Sequence, residues 1–478
     1  MSKFIFIFVE SKVFCPFITR IVFQKKEKTN NIELIIDIMK KNFKLLCCSA
    51  LGLLSLGACS TPATQSDVKE GTVQEVNLEM WAKQNKKHFP YYAPKEKPTA
   101  IQLSEAQARI YDKWKAVRPE DNELYSRFFY SEPTGFDYNQ GDGTITRRDP
   151  SRVIKVDDTY YVYYTYRHTQ TTHLGAEKCS DVIPSSDWDL CEIWYATSKD
   201  GFHWEEQGAA VKRPAKGEIG QRSISTPDVL VWKGKYYVYF QAFDYASGTK
   251  GGDDCPVSCA VSDSPDGPFI PCGKIIIPNG GKDDWDGYSI HDPYPMVFHG
   301  KIYFYWKSDY NGKGTLKRST GLAIAEDPLG PFVKCPQNPV LNSGHETGLF
   351  KYKSGIAALC YKNGHESNTI QYSEDGINFH IAAISTMLPY AAGLYDPDAF
   401  VDTKEAKGVT WGLSHVYVGD WGLTHHCELL RFDCDLSTEV NTPALKNTMV
   451  NYSKEELLMH GLSKQEYELR LQQGTITK

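Results

Sequence analysis

Five short segments of this 478-residue chain carry residue types suited to acid–base chemistry. Arg148-Asp149-Pro150, His291-Asp292-Pro293 and His345-Glu346-Thr347 each set an acid ahead of an apolar run. Thr226-Pro227-Asp228 and Asp396-Pro397-Asp398 do the same. A carboxylate that takes a proton and a carboxylic acid that gives one are the minimum for general acid–base hydrolysis. Carboxylates crowded together raise some of each other's pKa values. One acid of such a group can therefore stay protonated while another stays ionised.

The elements that would bring these acids together can be read from the pattern around them. Each acid opens a unit: an apolar run, a polar turn, then a Tyr-rich strand such as YYVYYTYR, YYVYFQAF or IYFYWKSD. A second strand with an Asp-Gly-like turn follows, as in WYATSKDGFHW, CAVSDSPDGPF, GLAIAEDPLGPF and IQYSEDGINF. In the fifth unit this signature, CELLRFDCDL, is degenerate. Unit starts lie 79, 64, 54 and about 52 residues apart, with an insertion around His173 to Trp188. Five units of four strands predict an all-β fold, a five-bladed β-propeller. The first strand of each blade lines the central channel. Asp149, Asp228, Asp292, Glu346 and Asp398 would then ring one funnel. His345 and Glu346 are neighbours and on a regular strand would face opposite ways. Both can reach the funnel only if the strand begins or bulges there, and Gly344 and Gly348 allow it. Helical N- and C-terminal extensions flank the blades. Ser104-Glu105-Ala106-Gln107, Ser453-Lys454-Glu455-Glu456 and Ser463-Lys464-Gln465-Glu466 are capping-box patterns.

Composition narrows the function classes. Hydrophobic residues are 41% and charged residues 23%, an ordinary globular balance that excludes a multi-span membrane protein. Lys plus Arg number 53 against 59 acids, a net charge of -6, which argues against nucleic acid as a partner. Aromatics reach 13%, suiting strands and sugar-stacking surfaces. The start of the chain reads as an address. Lys40, Lys41 and Lys44 precede an apolar stretch, Leu45 to Leu56, too short to span a bilayer. Leu56-Gly57-Ala58-Cys59 then resembles a bacterial lipobox, with Cys59 as the lipidated residue and Met39 as the expected start. The expected organisation is residues 1–58 as upstream extension and signal, 59–73 as tether, 74–120 as helical segment, 121–436 as propeller and 437–478 as helical tail. The expected location is across the inner membrane, as a periplasmic or outer-membrane lipoprotein. Nine cysteines follow Cys59, in a compartment that permits disulfides. Cys179 with Cys191, and Cys255 with Cys259 or Cys272, are the pairs expected first.

A five-bladed propeller with a ring of acids suggests glycoside hydrolases, broadly the arabinanase/xylosidase group, family 43. LYSRFFYSEPTGFDYNQGDGTITRRDPS, SSDWDLCEIWYATSKDGFHWEEQG, SIHDPYPMVFHGKIYFYWK and SGHETGLF resemble, more narrowly, glycoside hydrolase family 117, the α-1,3-L-neoagarooligosaccharide hydrolases. The resemblance covers about Leu124 to Asp435 and the helical segment before it. It implies release of 3,6-anhydro-L-galactose from the non-reducing end of neoagarooligosaccharides, with inversion. It implies that Asp149 is the general base, that Asp292 and Glu346 are funnel acids, and that His345 is the general acid. An imidazolium could serve there if Asp292 and Glu346 support its charge. An inverting pair is expected roughly 6.5–9.5 Å apart, leaving room for a water. The resemblance also implies a homodimer through the helical N-terminal segment.

Arg148 is read as a clamp for a sugar hydroxyl or as a partner for an acid of the ring. Trp188, Gln241, His291 and Lys307 are further candidates to bind the oligosaccharide. No cofactor is required and no metal ligand set is assigned. A structural cation in the acidic channel is compatible with the pattern. His425-His426 lacks a third ligand. The alternatives are a propeller glycosidase for arabinan, xylan or carrageenan oligosaccharides, and a surface lipoprotein that binds glycans without cleaving them.

Overall fold

The structure, a computed structural model, describes residues 76–476 apart from 85–88, 91–92, 113, 115–122, 252–253, 309–317, 365, 386, 448–461, 463 and 475. The signal, the lipobox, the tether and the capping box at Ser453 lie outside the described residues.

Strands dominate and pair antiparallel in five groups, the fourth and fifth of which join into one eight-stranded sheet where Tyr352 pairs with Lys407. Ile145–Arg148, Thr159–His168, Glu192–Ser198 and Trp204–Val211 make the first blade. Ser223–Trp232, Lys235–Phe243, Val257–Ser262 and Ile270–Pro271 make the second. Ile290–Phe298, Lys301–Ser308, Thr320–Ala325 and Val333–Lys334 make the third. The fourth is Gly348–Lys353, Gly355–Cys360, Thr369–Ser373 and His380–Ile384. The fifth runs Gly393–Leu394, Ala406–Val418, His426–Ser437, and takes its outer strand, Phe129–Ser131, from ahead of the first blade. Phe129 pairs with Asp433 and Ser131 with Arg431. This explains the degenerate fifth unit in the sequence: its last strand is supplied by the other end of the chain. Closure of this kind removes an exposed sheet edge.

The Tyr-rich strands are buried on both faces. Val162, Tyr163 and Tyr164 are consecutive and fully buried, so neither face of that strand meets water. Five apolar layers account for this, one between each pair of neighbouring blades. Tyr163 packs with Val229 and Val238 of blade two, and Tyr239 with Phe304 of blade three. Met296 of blade three packs with Leu349 of blade four, and Phe350 with Phe432 of blade five. Tyr164 meets Leu413 and Trp411, which closes the ring between blades five and one. β-Branched and aromatic residues fill such two-sided strands well.

The segment ahead of the blades is less helical than expected. Two short helices, Leu78–Gln84 and Glu105–Arg109, are separated by extended chain. Ser104 caps the second, its Oγ accepting the Gln107 N–H at 3.3 Å. The same hydroxyl donates to the Pro339 carbonyl, and Gln107 donates to that of Asn338, so the helix is stitched to blades three and four. Arg109 then reaches Glu366 through two nitrogens, at 2.9 and 3.1 Å, and donates to the Phe379 carbonyl. The C-terminal helix, Lys464–Gln473, lies against this segment: Arg470 donates to the carbonyls of Asp112 and Arg109. Losing one partner of a buried ion pair leaves an uncompensated charge. Arg109→Ala is therefore expected to cost about 3 kcal/mol of stability in urea unfolding, with Arg109→Lys recovering part of it.

The expected disulfides are not formed. None of the nine described cysteines is in a disulfide, and seven of them are buried. Cys179 Sγ faces the Ala176 carbonyl, whereas Cys191 Sγ faces those of Asp187 and Asp189. Cys255 Sγ points at the Ile290 carbonyl and Cys259 Sγ at that of Ala260. These side chains act as small core groups between blades.

Candidate functional site

Each inner strand is interrupted at one residue in the left-handed region. Asp149, Thr226, Asp292, Glu346 and Ala391 have φ of 50, 48, 51, 54 and 51°. Such a conformation costs of order 1–3 kcal/mol for a residue with a Cβ and persists only where the surroundings hold it. In the first three blades a Pro follows, which has no N–H to pair. The register slips between Ser225 and Asp228 and between His291 and Tyr294. The interruption ends strict alternation, so these side chains turn toward the axis. It also resolves the difficulty at His345 and Glu346: the strand Ser343–His345 stops, and a new one begins at Gly348.

Side chains of neighbouring blades hold this strained ring. The Thr226 N–H donates to Thr165 Oγ1 of blade one, 2.7 Å, and the Asp292 N–H to Gln241 Oε1 of blade two, 3.2 Å. The Glu346 N–H donates to Asp292 Oδ2 of blade three, 3.0 Å. The Asp149 N–H donates to His415 Nδ1 of blade five, 3.0 Å. Four of the five floor residues are thus fixed from the blade before them.

The structure corrects the expected ring at two places. Thr226 and Ala391 take the positions given to Asp228 and Asp398. Asp228 falls two residues past the bend, where blade three has Tyr294, and its carboxylate accepts the Arg152 N–H at 2.8 Å. Asp398 accepts the Lys407 N–H in a turn, and Asp396 accepts that of Lys351. Asp396 joins blade five to blade four and Asp398 fixes a turn of its own blade, while Asp228, set back by the bend, lines the recess beneath the floor with Asp149, Asp292 and Glu346.

Above the floor opens a cavity of about 430 Å³. Arg148, Trp188, Gln241, His291, Asp292, Lys307, His345 and Glu346 all line it. Asp149 lies beneath them, in a small recess shared with Asp292 and Glu346. All nine expected site residues therefore converge. Asp187, Thr226, Arg318, Tyr417, Trp421 and His425 line the cavity as well. Sequence reading did not assign these six. Asp187, next to Trp188, Thr226 of Thr226-Pro227-Asp228 and His425 of the His425-His426 pair lay inside segments already singled out, but none was given a role at the site.

The charges are arranged unequally. Asp149 accepts from Arg148 Nε at 2.8 Å and Nη2 at 3.2 Å, and from Thr165 and Thr226 hydroxyls, each at 3.2 Å. Burial works to raise its pKa, but Arg148 and His415 outweigh it and hold the carboxyl below its ordinary value. Arg148 also touches Asp187 and the Tyr417 hydroxyl, and its Nη2 is 3.5 Å from Glu346. Of its two expected roles, partner of the acids is the one the geometry gives. Asp187 is pulled below the ordinary range: burial opposes this, while Arg148 and Arg167 dominate.

Glu346 is opposite in character. Burial first, then the charges of Asp149 and Asp292, push its pKa up to about 8. Its Oε2 takes no hydrogen bond from the described residues. Asp292 is raised by burial and by Asp149, against Lys307, whose Nζ lies 3.3 Å away. At neutral pH the site therefore contains an ionised Asp149 and a protonated Glu346.

His345 differs from the imidazolium expected of it. Arg318 Nη1 lies 3.0 Å from its Nδ1 and Tyr390 Oη 2.9 Å from its Nε2. A guanidinium can only donate, so Nδ1 accepts and the ring is neutral with its proton on Nε2. Nε2 is 3.6 Å from Glu346 Oε1. Asp149, Glu346 and His415 each bring one donor atom within 4.8 Å of the others, a buried set able to hold a cation in the channel. His415 Nδ1 accepts the Asp149 N–H, so a neutral ring carries its proton on Nε2, 4.0 Å from Glu346 Oε2, and binding a cation there would require that proton to leave. His426 bonds Thr424 and Glu428 instead and is not among the residues lining the cavity.

Comparison with known proteins agrees with this geometry. The family model for glycosyl hydrolases family 43 matches residues 144–326. No curated protein matches the chain. Among solved structures, a thermostable family 43 glycoside hydrolase is 17% identical, covers 64% of this chain and 92% of its own, and superposes with a TM-score of 0.41. A family 43 enzyme from Xanthomonas citri is 15% identical, over 62% and 88%, with a TM-score of 0.40. Zg3597, a family 117 glycoside hydrolase from the marine bacterium Zobellia galactanivorans, is 51% identical. It covers 70% of this chain and 98% of its own, with a TM-score of 0.66. Identity of that extent over nearly the whole of a relative, with the acids meeting in one funnel, shows that the chain belongs to glycoside hydrolase family 117.

Proposed function

We propose that the protein is an exo-acting hydrolase that releases 3,6-anhydro-L-galactose from the non-reducing end of neoagarooligosaccharides with inversion. The observation that carries the reading is the pair of opposite protonation states on one floor, Asp149 ionised and Glu346 protonated. In this reading the cavity of about 430 Å³ above these acids receives the end of the chain. Glu346 gives its proton to the leaving glycosidic oxygen as the bond to the anomeric carbon breaks. Asp149 takes a proton from the water that attacks the opposite face of that carbon. Asp292 keeps Glu346 protonated by its charge, and neutral His345 orients Glu346 Oε1 or a sugar hydroxyl.

Inversion needs a water between acid and base. One oxygen of Asp149 and one of Glu346 lie within 4.8 Å, closer than the separation of roughly 6.5–9.5 Å expected of an inverting pair. The bound sugar must then turn Glu346 away from Asp149. No described residue bonds Oε2 in its present place, so that rotation breaks no hydrogen bond there. Export with a lipid anchor at Cys59, and a homodimer through the helical N-terminal segment, belong to the same proposal and are supported by the sequence patterns alone.

The test is to incubate the purified protein with neoagarobiose, neocarrabiose and arabino-oligosaccharides. Early proton NMR spectra of the released sugar read its anomeric configuration. Release of 3,6-anhydro-L-galactose from neoagarobiose in the inverted form is expected. Retention would keep the substrate and discard this use of the pair. Turnover of another sugar alone would discard the substrate.

A further inference from the structure

One wall of the cavity climbs from the floor to the mouth as a stack of rings. Tyr390, which touches His345, is followed by Tyr417 at a centroid distance of 5.7 Å. His425 stacks on Tyr417 at 5.3 Å, and Trp421 follows at 4.8 Å. Trp421 differs from the rest in being 76% exposed while still lining the cavity. At a cavity mouth such a ring offers a broad apolar face to whatever enters.

The ring is held in place before any ligand arrives. His173 and His425 hydrogen-bond each other at 2.9 Å, and both pack against the indole, each with a centroid distance of 4.8 Å. Burial lowers the pKa of both, so the pair carries no charge at neutral pH. The loop beneath is tied by the Asp420 carbonyl, which accepts the N–H groups of Leu423, Thr424 and His425. Asp420 in turn donates its N–H to Thr424 Oγ1 at 3.1 Å. A preorganised, uncharged aromatic face suits the C–H face of a neutral sugar ring.

Position along the wall decides which sugar that is. The reacting bond lies at the floor, beside Asp149 and Glu346. Trp188 stacks on the Arg148 guanidinium at 5.2 Å and so belongs to the floor level. Tyr417 shares that guanidinium, and Trp421 stands two rings beyond it, past His425. We infer that Trp421, braced by His173 and His425, is the stacking platform for the second sugar of the substrate, the one that stays on the leaving oligosaccharide. The inference rests on the exo reading above.

The test compares wild type, Trp421→Ala and Trp421→Phe, each checked for fold by circular dichroism. Binding is measured by calorimetry for two ligands: the terminal monosaccharide and the oligosaccharide left after its removal. Trp421→Ala is expected to weaken the oligosaccharide about tenfold and leave the monosaccharide unchanged, with Trp421→Phe in between. The value of kcat should stay within about twofold while KM rises. Equal affinities in wild type and Trp421→Ala, or equal loss for both ligands, would overturn the platform. Wild-type turnover is read separately. If the wild type cleaves a different glycan, the substrate reading fails, and the same comparison made with that glycan's own products decides the platform.

Discussion

Asp149→Asn should lower kcat about a thousandfold and change KM little. A positioned general base contributes on the order of 10²- to 10⁴-fold, and Asn keeps the shape of the side chain while losing its basicity. Arg148 retains Asp187 and Glu346 as acidic neighbours, so the floor should not collapse. Steady-state kinetics on neoagarobiose, with thermal unfolding as a check on the fold, measures the effect. The wild type should also lose activity as pH falls through the Asp149 pKa, which Arg148 and His415 hold below the ordinary value. A variant that kept wild-type kcat would mean that another group activates the water.

Glu346→Gln is expected to lower kcat by roughly 10²- to 10⁴-fold on the natural substrate, whose leaving oxygen needs a proton. An aryl glycoside with an acidic phenol leaves without that help, and the loss on it should be much smaller. The pH profile supplies an independent reading. Glu346 works in its protonated form and its pKa is raised to about 8, so wild-type activity persists through neutrality and falls as pH rises past that value. Burial is the first cause of the shift, and the charges of Asp149 and Asp292 add to it. The alkaline limb should be missing from Glu346→Gln. If that variant kept the limb and the full rate, the acid would be His345 or a water. The contact between Arg318 and His345 Nδ1 argues against His345, because an imidazolium would set two donors face to face.

Much of this architecture was legible because it is local. The run of Tyr, Val and Thr over Thr159–His168, bounded by polar turns, is a strand signal that survives without knowledge of the partners. The acid before an apolar run repeats often enough to reveal blades. The Ser104 cap was legible for the same reason, since its donor and acceptor lie three residues apart. The residues that follow Ser463 in the third capping-box pattern, Lys464 to Glu466, likewise open the helix Lys464–Gln473. The helical reading of residues 74–120 went too far: among the described residues of that segment only Leu78–Gln84 and Glu105–Arg109 are helical, and bonds to Pro339, Asn338 and Glu366 anchor the second of them to the blades.

What the sequence by itself determined is the repeat, the strand type and the set of side chains available for chemistry, because each depends on neighbours a few residues away. Tertiary structure decided the rest. It chose Thr226 over Asp228 for the floor, because the left-handed bend sits before Pro227 and carries Asp228 two residues past it. It closed the ring with Phe129–Ser131, which pairs with Asp433 to Arg431 near the other end of the chain. It also assigned the protons. Asp149 and Glu346 are the same chemical group to a sequence reader, yet one is ionised by Arg148 and the other kept neutral by burial and by the first one's charge. A pKa is set by the charges and solvent within a few ångströms, and those come from blades that only folding brings together.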